Sequence, residues 1–96
     1  MANNPDEAFF DRADAHIALS NEQVGASDKG KVSASMLYAT ARFNTWVTAS
    51  GYEKGEAMAA DREKIVAYFV TQYVKMLEDH LDDYIEHFDK YMKPTK

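Results

Sequence analysis

The last third of this chain constrains its fold more than any other part. From Met58 to Met92 it contains neither glycine nor proline, and Pro94 closes the stretch. Within that span Val66, Phe69, Val70, Tyr73, Val74, Leu77, Leu81, Tyr84, Ile85, Phe88 and Met92 recur at steps close to three and four. That period predicts one uninterrupted helix over 58–92 with an apolar stripe along it. At 1.5 Å rise per residue such a helix runs about 50 Å. Its start is the least sharply marked boundary, because AMAADREK is helical by propensity but weak in pattern.

Two shorter helices precede it. The first is expected over 5–24. Asn4 stands as N-cap, Pro5 occupies the first helical position, and Asp6 and Glu7 set negative charge against the positive end of the helix dipole. Phe9, Phe10, Ala13, Ile17, Ser20 and Val24 then share one arc, opposite Asp11, Asp14, Asn21 and Glu22. Gly25 and the segment GASDKGK read as its stop. The second helix is expected over 31–50. Between Val32 and Tyr52 the single charged residue is Arg42. Val32, Met36, Ala39, Phe43, Trp46, Val47 and Ser50 form one seam, with a second row at Leu37, Ala41, Asn44 and Thr48. A helix with so little charge is expected to be enclosed on most of its circumference, and Gly51 reads as its stop.

The expected fold is therefore all-α: a single domain over residues 1–96, a three-helix bundle with a long C-terminal helix. Helices of roughly 30 Å cannot cover one of about 50 Å, so the far end of the stripe needs another cover. Leaving large apolar side chains in water forgoes about 1.5–3 kcal/mol apiece. A twofold partner supplies the cover with the same surface, which predicts a homodimer, a larger helical bundle joined through Leu81, Tyr84, Ile85, Phe88 and Met92.

Composition narrows the function classes. With no cysteine, disulfides, thiolate metal sites and cysteine nucleophiles drop out. A net charge of −5 disfavours a nucleic-acid surface. No run approaches the roughly 18 apolar residues of a membrane span, and MANNPDEAFF lacks the basic and apolar regions of an export signal, so a cytoplasmic protein without membrane contact is expected.

Chemistry-bearing patterns are sparse. EDHLDDYIEHFD, from Glu78 to Asp89, holds six acids and two histidines without Lys or Arg. His80, Asp83 and His87 share a helical side at ligand-like spacing, but Leu77 and Tyr84 stand where a di-iron Glu-x-x-His pattern needs glutamates, and HExxH is absent. This segment reads as a solvated acidic face, with no metal or other cofactor expected. Neither a serine elbow nor a glycine-rich phosphate loop occurs, so no catalytic residue is assigned and a non-enzymatic role is expected. Lys29 and Lys31 beside the start of the second helix form only a weak anion attractor. Polar residues in apolar company weigh more. Arg42 and Asn44 lie in the helix expected to be enclosed, where a guanidinium needs a partner such as Asp14 or Asp79. Such a pair fixes helix register; alternatively Asp14, Asn21, Arg42 and Asn44 form a small polar pocket for an anionic ligand, with aromatics such as Tyr38 and Trp46 in its lining.

RADAHIALSNEQ, SASMLYATARFNTWV and AYFVTQYVKMLEDHLDDYI resemble the three blocks of a small bacterial family known only as a domain of unknown function. Ala13-Asp14, Asn21, Ala41-Arg42-Phe43-Asn44 and Tyr84 match its pattern. The resemblance implies a short all-helical bacterial protein and supplies no activity, substrate or cofactor. The function expected is a homodimeric protein–protein interaction module with a basic partner protein steered by the acidic flank; a ligand-binding bundle around Arg42 is the alternative.

Overall fold

The computed structural model describes residues 6–93, and all regular elements among them are helices: α1 (Phe9–Val24), α2 (Lys29–Ala49), α3 (Gly55–Ala60), α4 (Arg62–Glu86) and α5 (Phe88–Met92). Two compact units make up the chain, Met1–Gly51 and Tyr52–Lys96.

In the first unit, α1 begins at Phe9 rather than at residue 5. The expected cap Asn4 and first-turn Pro5 lie outside the described residues. Asp6 organises the entry: its carbonyl accepts from the Phe9 amide at 3.0 Å and its carboxylate from the Ala8 amide at 2.9 Å. The same carboxylate pairs with Arg12 at 3.0 Å, which holds the Asp6 carboxyl below its ordinary range. A turn follows α1, in which the Ser27 amide reaches back to the Gln23 carbonyl. Asp28 then caps α2 from extended backbone, its side chain accepting from the Lys31 amide at 2.9 Å. The anion attractor expected at Lys29 and Lys31 is thus already met by the chain's own carboxylate. Gly25 ends α1 in right-handed backbone, and among the described residues no glycine takes positive φ. The helices thus stop at Gly25 and just before Gly51, as expected, and do so through ordinary turns.

α1 and α2 contact each other next to this turn, where Ser20 Oγ approaches Met36 Sδ at 3.3 Å. Val32 lies there and is the one buried side chain among the described residues. Ser20 and Val24 are half-buried on α1. Within its own unit α2 is not enclosed as expected: α1 is its one helical neighbour there, and Tyr38, Phe43 and Trp46 are all more than 60% exposed. What replaces charge on this helix is internal hydrogen bonding. Thr40, Thr45 and Thr48 donate their hydroxyls to the carbonyls of Met36, Ala41 and Asn44, four residues back.

In the second unit the single helix expected over 58–92 is three segments, broken at Asp61 and at His87. Asp61 leaves helical geometry (φ −103°, ψ 7°), and its carboxylate accepts a 2.6 Å hydrogen bond from the Tyr52 hydroxyl. An aspartate at that junction would otherwise cap the first amides of α4; committed to Tyr52, it makes no such bond. Tyr52, Met58, Asp61, Ile65 and Phe69 are the half-buried residues around this corner. The second break, at His87 (φ −116°, ψ 35°), falls inside the acidic segment from Glu78 to Asp89.

Candidate functional site

Two surfaces hold the residues singled out in the sequence. The first is the face of α2 around Arg42. Tyr38, Ala41, Arg42, Thr45 and Trp46 follow one another at helical steps and line an open depression of about 420 Å³. Arg42 is exposed and shares this depression with the side chains of Tyr38 and Trp46, a combination of residue types that suits a planar anion held by charge and stacking.

The polar set named with it does not converge there. Asn44 is two residues from Arg42, so the helix turns it by about 200°, to the opposite face, where it is half-buried. Asp14 and Asn21 are exposed on α1, and no ion pair or side-chain hydrogen bond among the described residues of this unit joins either to Arg42. The expected Asp14–Arg42 pair is not formed. The physical reason is exposure: Arg42 stays in water and has no need of a buried carboxylate.

The second surface is the outer part of α4 with α5. Leu81, Tyr84, Ile85, Phe88 and Met92 are all exposed, from 44% at Tyr84 to 73% at Ile85. The stripe continues toward the start of α4, with Val66, Val70, Tyr73, Val74 and Leu77 each more than 40% exposed. Within this unit only the short α3 and α5 contact α4, and neither has the length to cover a helix of 25 residues.

At the end of this stripe Asp83 gathers a small clasp. Its carboxylate accepts from the Tyr91 hydroxyl at 2.7 Å and lies 3.0 Å from His87 Nδ1. The Tyr91 hydrogen bond is the largest influence holding the Asp83 carboxyl below its ordinary value, with His87 adding to it against partial desolvation. Reciprocally, the bond to Asp83 raises the Tyr91 phenol above its ordinary value. Tyr84 and Tyr91 stack with centroids 4.3 Å apart and rings 19° from parallel. Seven residues of straight helix rise roughly 10 Å, so this stack depends on the turn at His87. Asp83 and His87 are therefore brought together as their spacing suggested, but in a clasp with a tyrosine; among the described residues no group of three or more His, Asp or Glu side chains is set to hold a metal.

Sequence reasoning missed the two tyrosines that hold carboxylates, Tyr52 and Tyr91. Their spacings to Asp61 and Asp83, nine and eight residues, match no helical repeat and so left no periodic signal.

An all-helical chain of two units, with an exposed apolar stripe on its longest helix and an aromatic-flanked arginine on another, defines the class of protein at hand. Among the described residues no helix is long and apolar enough to cross a membrane. The chain belongs to the family described as protein of unknown function (DUF3144), whose pattern matches residues 9–85. It is similar to protein NB7890A from Shewanella sp., known from an NMR structure. The two share 37% identity and superpose with a TM-score of 0.75, over 99% of this chain and 100% of that one. No curated protein matches the chain.

Proposed function

We propose that this protein is a protein–protein interaction module that works as a homodimer, joined through the outer part of α4 and α5. The observation that carries this reading is the exposure of Leu81, Tyr84, Ile85, Phe88 and Met92 on one unit with no long helix of its own to cover them. A second copy brings an identical stripe, and in the dimer the chain completes a larger helical bundle. The acidic residues from Glu78 to Asp89 flank that stripe and steer a basic protein partner toward it. A bacterial cytoplasmic setting suits a chain without cysteines and with a Shewanella relative.

Light scattering or sedimentation tests the reading directly. The wild-type chain is expected at twice its 10.9 kDa, and Ile85→Asp with Phe88→Asp is expected to shift the mass toward one chain while far-UV dichroism stays helical. A wild-type mass of one chain at high protein concentration overturns it.

A second reading rests on the α2 depression: Arg42, which lines it with Tyr38 and Trp46, binds a small anionic aromatic or phosphorylated metabolite. Thermal shift with inorganic phosphate and nucleoside monophosphates tests it. Stabilisation that Arg42→Met abolishes supports the site; a flat response in the wild type removes it.

A further inference from the structure

The exposed stripe of α4 has an internal symmetry that the homodimer reading alone does not require. Val70, Tyr73, Leu77, Leu81 and Tyr84, all within α4, follow at steps of three, four, four and three. The series reads the same in both directions from Leu77. Turned end for end about Leu77, the stripe lays Val70 on Tyr84 and Tyr73 on Leu81. The outer pair sets a valine against an aromatic ring, so small and large side chains interdigitate across the seam.

Charge is divided about the same point. Between Arg62 and Met76, α4 carries Arg62, Lys64 and Lys75 against the single acid Glu63. Beyond Leu77 come Glu78, Asp79, Asp82, Asp83 and Glu86, with no Lys or Arg before Lys90. An end-for-end pairing brings the basic half of each helix alongside the acidic half of the other. A parallel pairing would instead stack acid on acid and Tyr84 on Tyr84, and like charges at close quarters oppose association.

We infer that the partner on α4 is a second copy of this chain running antiparallel, with the twofold axis passing beside Leu77. The inference rests on the homodimer reading and specifies its geometry. Basic and acidic halves guide the approach, and the Val70–Tyr84 pairs fix the register.

Because the chain has no cysteine, single thiols report the geometry cleanly. Val70→Cys and Tyr84→Cys, carried on two differently tagged full-length chains and co-expressed, are expected to give a mixed disulfide dimer on mild oxidation. Each variant expressed alone is expected to stay uncrosslinked, since identical positions lie far apart in an antiparallel pair. Leu77→Cys alone is expected to crosslink to itself across the axis. Helical dichroism of each reduced variant checks that it folds, and Tyr73→Cys with Leu81→Cys supplies a second pair should one of the first fail. Self-crosslinking of Val70→Cys and Tyr84→Cys individually, without the mixed product, overturns the antiparallel arrangement and leaves the homodimer standing. Absence of every crosslink in a wild-type dimer places the interface elsewhere and also overturns it. A wild-type mass of one chain removes both readings together.

Discussion

The two units of this chain hold themselves together by different chemistry. In the first, α1 and α2 meet over Val32, an aliphatic side chain only 6% exposed, next to a turn capped by Asp28. In the second no described residue is as deeply buried; instead, tyrosine hydroxyls donate to aspartates beside both ends of α4, Tyr52 to Asp61 and Tyr91 to Asp83. An apolar contact is indifferent to proton concentration. A phenol–carboxylate bond of this kind needs the phenol protonated and the carboxylate ionised. The first unit should therefore answer to changes of volume and polarity, and the ends of α4 to pH.

The largest effect is expected from Val32→Asp, which places a charge where the first unit has its one buried site. Thermal unfolding followed by dichroism should lose on the order of 3 kcal/mol of stability. Val32→Ala, which only removes volume, should lose about 1–2 kcal/mol. A neutral result for both would dissolve the contrast between the units. Next comes Asp28→Ala: loss of the cap on α2 should cost about 1 kcal/mol, read as a lower urea midpoint with an unchanged slope.

Smaller and more local effects are expected in the second unit. Tyr52→Phe and Tyr91→Phe should each speed amide exchange at the adjoining end of α4, leaving α2 untouched. Faster exchange in α2 instead would contradict the division of roles.

The pH dependence follows from the directions of the shifts. The Asp83 carboxyl is lowered, chiefly by Tyr91, so its contribution is present above the ordinary aspartate value near 4 and is lost as pH falls through the lower folded value. The phenols of Tyr52 and Tyr91 are raised, each chiefly by its hydrogen bond to aspartate. Their contribution is present below about 10 and is lost as pH rises through the raised values. Absorbance at high pH should accordingly show late-titrating phenols at Tyr52 and Tyr91, and the Phe variants should remove one late step each. The smallest effect belongs to Arg42→Met, an exposed position without an ion pair in its own unit, which should change stability by less than about 0.5 kcal/mol.

Much of this architecture could be read along the chain. α1 and α2 lie close to the expected 5–24 and 31–50, since steps of three and four among Phe9, Ala13, Ile17 and Val24, or Val32, Met36, Phe43 and Trp46, are a local property of the helix. The breaks at Asp61 and His87 were not legible. Neither is a glycine or a proline, and each interruption accompanies a side-chain bond to a residue well outside the helical repeat. Low charge on α2 does not by itself signal neighbours within its unit: Thr40, Thr45 and Thr48 hydrogen-bond to their own helix. The separation of Arg42 from Asn44, by contrast, was already implicit in a spacing of two residues on a helix.

By itself the sequence determined the helical class, the direction and period of each apolar stripe, the segregation of charge along α4, and membership of the family. Only the tertiary structure decided that Val32 alone is buried among the described residues, where α4 starts and stops, and which tyrosines grip which aspartates. Helical period is set by backbone geometry between near neighbours, so it is written in the order of residues. Burial and phenol–carboxylate bonds depend on which groups folding brings face to face, and no local repeat records that.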